Sequence, residues 1–490
     1  MSFASYEFLF AFLPFALAVV LAAEAIDRER LFLPALIFVS IVFYGWGSAP
    51  HLLLLLGMVL LTFIASNLYV RAPARWIRRT ALVLGVVGNL SALTVWKYGN
   101  SMVEMWNQIG IAPVEQTYII MPLGISFYAF QQVGYLMDIR RGRAKLMRPI
   151  PFLAFVLFFP QLIAGPIVTQ RRMGRELQSA VDGKPVETRL QLAWLGAAWF
   201  SMGLFKKVVI ADNVGRLIAP SVTAAIYGEP STLAAWQVAL GAQTYIYFDF
   251  CGYSDMAVGL ALFFGIRIPP NFNAPYRSKN AREFWTRWHI TFHHFVRDHL
   301  YGPLKRRLGG WKIGGWEAGT AFALMMTVIM SSLWHGNSVQ FMLWGLLLYL
   351  SIVVTGRMFG WLGPKLQPIV STSIMVGLIL MMGVLFITPD LGTGLRLITS
   401  TLNPTEMSAA RDLEGWGRLL ILAGLLVVVR YEVSTQVLLE AKVDHRERTI
   451  LGRRLPVFSQ SLPWIVFVGA LFAVSIHFAG HSPEFVYFGI

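Results

Sequence analysis

The stretch Ala318–Val354 reads AGTAFALMMTVIMSSLWHGNSVQFMLWGLLLYLSIVV, and it contains no Asp, Glu, Lys or Arg and a single histidine, His335. Runs of about 17 to 25 mostly apolar residues cross a bilayer as helices, so the stretch predicts transmembrane structure. An ionisable side chain at that depth is costly, and such groups usually face a cavity or a substrate path. The alternative is a histidine that pairs two helices through a hydrogen bond, and this stretch alone leaves both interpretations open.

The rest of the chain has the composition of a polytopic membrane protein. Of its 490 residues, 56% are hydrophobic and 14% are charged, whereas about 25% of the residues of a soluble protein are charged. Apolar runs recur from Phe8 to the C-terminal end and predict an all-α bundle with about eleven spans. The first run lacks a basic start and a cleavage site, which indicates a retained span. The one cysteine, Cys251, excludes an intrachain disulfide and a thiolate metal cluster.

The net charge of +15 is concentrated in short loops between the apolar runs. Arg71–Arg79, Arg140–Arg148 and Lys442–Arg454 are the clearest of these basic loops. Basic loops face the cytoplasm, so their positions predict an N-terminus outside the cell. The pattern indicates contact with anionic membrane lipid and argues against a nucleic-acid partner.

One apolar segment departs from this alternation. Phe152–Ile167 is followed and preceded by basic residues, and its centre, Phe159–Pro166, contains two prolines and a glycine. These residues are unfavourable inside a helix. Broken backbone at membrane depth is tolerated only where it is buried in protein or lines a wet cavity. The segment therefore predicts a re-entrant element and an internal cavity.

A second polar zone runs from Tyr245 to Leu308. It begins with two carboxylates, Asp249 and Asp255, in or beside an apolar run. They suit an ion or proton relay, or structural anchors that pair with Arg or with helix N-termini, and their spacing does not decide between the two. Further along, Asn280–Asp298 mixes aromatics with Arg, His and acids. Such a mixture is typical of an interfacial helix or the mouth of a cavity.

His289, His293 and His294 raise the question of a metal site, because residues four apart share a helix face. No acidic partner completes a zinc-protease pattern and the flanking residues are bulky aromatics, so no metal is predicted. The chain also shows no Walker-type glycine loop and no Gly-x-Ser-x-Gly elbow. Their absence argues against an ATP-driven pump and a serine hydrolase of that type.

His335 is followed by Gly336, Asn337 and Ser338, which predict a pause between two helical runs. Asn and Ser can orient an imidazole or donate hydrogen bonds. In a dry cavity desolvation favours the neutral imidazole, which is the form that a general base needs. Chemistry is therefore possible at His335, but these residues do not name a reaction.

Several blocks together resemble the membrane-bound O-acyltransferase (MBOAT) superfamily, and most closely its bacterial alginate O-acetyltransferase branch. The similarity extends over nearly the whole chain, and the order of the blocks is far more specific than any one of them. The blocks are Met121–Tyr128, Phe158–Ile167, Gly203–Asp212, Tyr247–Ala257, Pro270–Tyr276, Glu283–Ile290, Arg297–Tyr301 and Leu333–Gly336, with Phe485–Phe488 near the C-terminus.

The resemblance implies a helical bundle with re-entrant segments around a central tunnel, in the inner membrane of a bacterium. One domain would cover residues 1–490, with a core at 120–360 and additional spans at 361–490. The implied reaction moves acetyl from cytoplasmic acetyl-CoA to an extracytoplasmic polysaccharide, such as an alginate-like polymer, cellulose or another exopolysaccharide. Transfer would be direct or through a periplasmic or membrane-anchored SGNH-type acetyltransferase, and no bound cofactor is implied.

The resemblance also implies roles for particular residues. His335 would be the general base, and His289, or donors near Asn337, would stabilise the oxyanion. Residues with supporting roles, or lining the tunnel, would be Trp334, Asn337, Asp249, Ser254, Asp255, Glu283, Arg287 and Gln161. Two alternatives remain: D-alanyl transfer to teichoic acid, which the region after Trp361 disfavours, and a proton-coupled transporter that uses Asp249, Asp255 and His335.

Overall fold

The protein is predominantly helical. A computed structural model describes residues 1–110, 115, 118–183, 188–314, 317–357, 363–403, 412–440, 449–450, 453–454 and 456–480. The predicted tail at Phe485–Phe488 and part of the basic loop Lys442–Arg454 lie outside these residues. Thr449–Ile450 and Arg453–Arg454 form a small antiparallel ribbon.

The chain divides into two compact units, one formed by residues 1–197 and 257–269 and the other by residues 198–256 and 270–490. The helix Arg189–Leu204 begins in the first unit and ends in the second, and Thr232–Phe263 begins in the second and ends in the first. The other helices of the first unit are Glu7–Phe12 (a π-helix), Leu13–Gly45, Ala49–Arg71, Arg75–Ile109, Ile125–Arg140, Pro149–Leu157, Phe159–Leu162 and Gln170–Val181.

The second unit contains the remaining helices. Phe205–Ala211 and Arg297–Tyr301 are π-helical, and Pro275–Arg277 is a 3₁₀ turn. The α-helices are Asp212–Tyr227, Ala281–Arg287, Ile290–Val296, Gly302–Leu308, Ala318–His335, Val339–Arg357, Gly363–Ile387, Leu391–Ser400, Leu413–Tyr431, Thr435–Leu439 and Leu462–Ala479.

Within the described residues, seven helical segments are long and apolar enough to cross a membrane. This finding confirms the prediction of an all-α, multi-pass membrane protein. The number is lower than the predicted total of about eleven spans, partly because some apolar helical segments, such as Val339–Val353, are shorter than these seven. The segments are Glu7–Gly45, Ala49–Arg71, Arg75–Ile109, Arg189–Tyr227, Ala318–His335, Ile369–Ile387 and Leu462–Ala479.

The predicted break in Phe159–Pro166 is present. The helix Pro149–Leu157 stops at Phe158, whose φ and ψ are −49° and 103°, and only a four-residue helix follows. The Phe159 amide donates to Ser40 Oγ at 3.2 Å, and Gln161 Nε2 donates to the Phe155 carbonyl at 2.6 Å. Buried backbone groups need partners, so side chains take over where the helical hydrogen bonds stop.

Gly124 lies against this broken segment in a conformation that favours glycine. Its φ is +74°, and a Cβ atom placed there would lie 2.7 Å from Ile163 Cα and 2.8 Å from the Leu162 carbonyl oxygen. Gly142 has a similar φ of +68°, but none of the described heavy atoms lies within 4 Å of its Cβ position. A comparison of the same substitution at Gly124 and at Gly142 therefore separates the strain of a positive φ from the effect of close packing.

We expect Gly124→Ala to lower stability clearly more than Gly142→Ala. Both changes carry a left-handed penalty of about 1–2 kcal/mol, and Gly124→Ala adds an overpacking cost of about 1–3 kcal/mol. The thermal unfolding midpoint in detergent, followed by tryptophan fluorescence, measures the difference. Equal shifts for the two variants would show that the close approach at Gly124 is unimportant.

Two buried lysines, Lys206 and Lys207, form ion pairs with carboxylates inside the second unit. Lys207 Nζ lies 2.8 Å from Asp212 and 2.6 Å from Asp249. Lys206 Nζ lies 3.2 Å from Asp255 and 2.9 Å from Glu432. All four carboxylates have side chains at most 12% exposed. The structure therefore places Asp249 and Asp255 in buried ion pairs, whose partners are lysines and not the arginines or helix ends expected from the sequence.

Candidate active site

His335 is the last residue of the helix Ala318–His335 and is 5% exposed. The next residue, Gly336, is extended, and the following helix begins at Val339. A Cβ atom on Gly336 would overlap the ring of Phe341, so glycine allows the chain to leave the helix beside that ring. The predicted pause between two helical runs is therefore confirmed.

Aromatic rings surround the His335 imidazole. The ring centroids of Trp334, Trp344 and Phe386 lie 4.8, 5.0 and 5.4 Å from the imidazole centroid. Phe341 stacks on it at 6.4 Å. These rings limit the access of water to the imidazole, and a water-poor wall strengthens electrostatic interactions with a bound substrate.

His289 lies in the link between the helices Ala281–Arg287 and Ile290–Val296, and it is 4% exposed. Its φ of 44° and ψ of 53° are left-handed, a conformation that is uncommon for residues other than glycine and that clusters at functional sites. Phe292 stacks on its ring at 4.9 Å, and Trp334 lies 6.1 Å away. Because Phe292 and Trp334 also contact His335, the two histidines lie around the same pair of aromatic rings.

Asn271 fixes this unusual link through its side chain and its backbone. Its carbonyl oxygen accepts from the Ile290 amide at 2.9 Å. Its Oδ1 accepts from the Thr291 amide at 3.2 Å and from Thr291 Oγ1 at 2.9 Å, and it lies 3.1 Å from His289 Nδ1. Asn271 was not among the residues for which the resemblance implied a role, although it lies in Pro270–Tyr276, one of the blocks that carry the resemblance.

Both histidines line a cavity of about 510 Å³. Ligand sites of this size are common, and their walls are usually apolar with a few polar groups. Here most of the wall is aromatic or aliphatic, and the charged residues on it include Arg282, Arg297 and Lys305. The structure therefore supports the interpretation that His335 faces a cavity, and it confirms that Asn280–Asp298 contributes to the cavity wall.

Burial lowers the pKa of His289 and of His293, which both lie outside the membrane-spanning helices. Loss of solvent lowers the pKa of His289 to about 3. The same effect, with smaller contributions from His294 and Arg297, lowers the pKa of His293 to about 4. Both imidazoles are therefore neutral near pH 7, and His293 also lines the cavity.

The other predicted site residues have varied surroundings. Trp334 is 4% exposed and contacts both histidines, whereas Asn337 is exposed. Ser254 Oγ accepts from Asn271 Nδ2 at 3.3 Å, so it supports the loop that holds His289. Gln161 belongs to the first unit, where it bonds to the Phe155 carbonyl.

Glu283 and Arg287 form an ion pair one helical turn apart, with 3.1 Å between Arg287 Nη2 and Glu283 Oε1. Arg287 also donates to the Asn273 carbonyl at 3.3 Å. The charged side chain that the helix Ala281–Arg287 contributes to the described cavity wall is that of Arg282, and not those of Glu283 and Arg287. The Glu283–Arg287 pair therefore ties the Asn271–Asn273 loop to this helix.

The rings of His293 and His294 lie 6.2 Å apart. In the part of the chain that the structure describes, no group of three or more His, Cys, Asp or Glu side chains has the geometry to hold a metal ion. The wall of the cavity carries imidazoles, aromatic rings, cationic side chains and the carboxylate of Glu317.

Comparison with known proteins identifies the family. A model of the membrane-bound O-acyltransferase family matches residues 82–387, which include both histidines and Asn271. The chain is 34% identical over 368 residues to a peptidoglycan O-acetyltransferase of Helicobacter pylori, covering 69% of this chain and 67% of that protein. It is 36% identical over 361 residues to a "Probable alginate O-acetylase" of Pseudomonas aeruginosa, covering 70% of this chain and 64% of that protein.

A third relative has a different printed activity. A teichoic acid D-alanyltransferase of Bacillus subtilis is 30% identical over 248 residues, covering 48% of this chain and 59% of that protein. The chain thus spans about two thirds of the length of the O-acetyl-transferring relatives and less of the D-alanyl-transferring one. With the family model matching more than half of its length, the chain belongs to the membrane-bound O-acyltransferase family, an enzyme family of acyltransferases, as its motifs predicted.

Proposed function

We propose that this protein is a membrane O-acetyltransferase that uses acetyl-CoA from the cytoplasmic side to acetylate an extracytoplasmic polysaccharide. The observation that carries the proposal is that His335 and His289 line the same cavity, whose wall is mostly apolar. Both histidines also lie in the segment that matches the family. Relatives named for O-acetyl transfer to peptidoglycan and alginate cover more of the chain than the D-alanyl-transferring relative does.

In the proposed reaction His335 acts as the general base. Its imidazole accepts the proton of an acceptor hydroxyl while the hydroxyl oxygen attacks the thioester carbonyl. The tetrahedral intermediate collapses, the C–S bond breaks, and the imidazolium returns the proton to the departing thiolate. The products are an O-acetyl ester and free CoA, and the protein ends in its starting protonation state.

The charges on the cavity wall support a phosphate-bearing donor. Arg282, Arg297 and Lys305 line the cavity together with one carboxylate, Glu317, so its wall carries more cations than anions. Guanidinium and ammonium groups form charge-assisted hydrogen bonds with phosphate. The segment Lys305–Lys312 is basic, and basic segments favour the cytoplasmic side. Acetyl-CoA would therefore enter from the cytoplasm, which agrees with an N-terminus outside and a location in the bacterial inner membrane.

The proposed final acceptor is a class of polysaccharides, whereas the proposed donor is a single compound. An alginate-like polymer, cellulose or another exopolysaccharide would receive the acetyl group, either directly or through a periplasmic or membrane-anchored SGNH-type acetyltransferase. A partner of this type would offer a hydroxyl to the cavity and then pass the acetyl group to the sugar. The residues on the cavity wall deliver an acetyl group to a hydroxyl in either route.

The surroundings of Asp249 and Asp255 argue against the alternative of a proton-coupled transporter. A proton path needs groups that can take up and release protons along the route. Asp249 and Asp255 instead lie 2.6 and 3.2 Å from the ammonium groups of Lys207 and Lys206. These ion pairs favour the enzyme over a proton-coupled carrier.

The proposal is tested with the full-length protein purified into lipid nanodiscs. Acetyl-CoA labelled in the acetyl group is supplied with alginate or with a purified SGNH-type acetyltransferase as acceptor, and we expect stoichiometric release of CoA and labelling of the acceptor. In a parallel assay, a carrier protein loaded with D-alanine replaces acetyl-CoA as the donor. Transfer of D-alanine without transfer of acetyl, or ion-coupled flux without thioester consumption, would overturn the proposal.

A further inference from the structure

We infer that Asn271 is a positioning residue that holds His289 as the Nδ1–H tautomer, so that Nε2 of His289 is a hydrogen-bond acceptor toward the substrate. The consequence for catalysis rests on the proposed acyl transfer, whereas the tautomer itself depends only on the geometry around Asn271. The inference changes the role expected from the sequence, in which His289 would donate to an oxyanion.

The orientation of the Asn271 amide is set by its neighbours. A backbone N–H can only donate, and the Thr291 amide lies 3.2 Å from the Asn271 atom assigned as Oδ1. A flipped amide would place two donors against each other at this position. On the other side, Asn271 Nδ2 donates to Ser254 Oγ at 3.3 Å. The atom that faces His289 Nδ1 at 3.1 Å is therefore the oxygen.

An amide oxygen facing Nδ1 requires a proton on Nδ1. A neutral imidazole carries one ring proton, so Nε2 then holds a lone pair. Burial keeps the imidazole neutral, because it lowers the pKa of His289 to about 3. An oxyanion donor would need an N–H at Nε2, which this tautomer lacks. Nε2 can instead accept a hydrogen bond from a donor group of the substrate other than the hydroxyl that His335 deprotonates.

The backbone around His289 is held by the same residue. The Asn271 carbonyl accepts from the Ile290 amide at 2.9 Å, directly after the left-handed His289. Left-handed residues other than glycine persist only where the surrounding structure over-determines them. Asn271 thus controls both the direction of the His289 side chain and the ring nitrogen that carries the proton, although it does not itself line the cavity among the residues described there.

The test is ¹⁵N NMR of the full-length protein labelled at histidine in lipid nanodiscs near pH 7. The signals of His289 are assigned by their loss in His289→Gln, and we expect a protonated Nδ1 and an unprotonated Nε2. In Asn271→Leu, which removes the amide oxygen, we expect loss of this pattern. We also expect kcat for acetyl transfer to fall about a hundredfold, with KM for acetyl-CoA changed less than about threefold.

Two variants serve as controls. Thr291→Val removes one hydroxyl donor to Asn271 but keeps its amide oxygen, so the tautomer should persist. Asn271→Asp keeps an acceptor for Nδ1–H, so this variant should keep the proton on Nδ1 and retain more activity than Asn271→Leu. The other eight of the nine histidines report on folding, because their signals should stay in place in a folded variant.

A protonated Nε2 in the wild-type protein, or an unchanged pattern in folded Asn271→Leu, would overturn the inference. An equal disturbance in Thr291→Val would also overturn it, since the effect would then not be specific to the amide oxygen. If the wild-type protein shows the expected tautomer but transfers no acetyl group, the proposed function fails while the positioning by Asn271 stands.

Discussion

His335→Ala should reduce acetyl transfer to background in a protein that still folds and inserts. A positioned general base contributes about 10²- to 10⁴-fold to the rate. The rings that remain around the vacated position, including Trp344, Phe386 and Phe341, cannot accept a proton in its place. The rate of CoA release from acetyl-CoA in nanodiscs measures the loss, with size-exclusion behaviour as the check on folding.

His477→Ala is the matched control for this prediction. His477 also lies in a helix that is long and apolar enough to cross a membrane, but it is exposed and close to the end of Leu462–Ala479. We expect this variant to keep the wild-type rate. Full activity in His335→Ala would remove the general base from the proposed mechanism, and an equal loss in His477→Ala would point to a general effect of losing a membrane histidine.

Lys207→Met should destabilise the protein strongly. The change removes the ammonium group between Asp212 and Asp249 and leaves two buried carboxylates without their shared cation. Breaking a buried ion pair from one side costs about 3–5 kcal/mol. We expect a large fall in the unfolding midpoint measured by tryptophan fluorescence in detergent, and less folded protein in the membrane.

Arg30→Met makes the same kind of change in an exposed ion pair. Arg30 lies 3.6 Å from Asp27, and its side chain is 86% exposed. Exposed ion pairs contribute about 0–1 kcal/mol, so the unfolding midpoint should hardly change. If Lys207→Met lowers the midpoint no more than Arg30→Met does, the buried lysines are not structural anchors.

Much of the helical architecture could be predicted because it depends on local sequence. The apolar length of Ala318–His335 favours a membrane helix wherever it packs. Glycine has a low helix propensity, and the helix ends directly before the extended Gly336. The two prolines of Phe159–Pro166 similarly account for the broken segment. These features depend on residues that are near one another in the chain.

Interactions between distant residues could not be predicted in the same way. The spacing of Asp249 and Asp255 left open whether they form a relay or an anchor, because their partners come from other helices. Lys206 pairs with Asp255 and also with Glu432, which is more than two hundred residues away in the chain. No local pattern in the sequence indicates such a contact.

The sequence by itself determined that the protein is a helical membrane protein of the O-acyltransferase family and that His335 is its foremost catalytic candidate. These conclusions follow from apolar length and from motif order, which are properties of the linear chain. Only the tertiary structure decided that His289 and His335 share an aromatic cavity and that Asn271 faces His289 Nδ1. The physical reason is that hydrogen bonds and ring contacts act over a few ångströms, so they depend on how the segments pack.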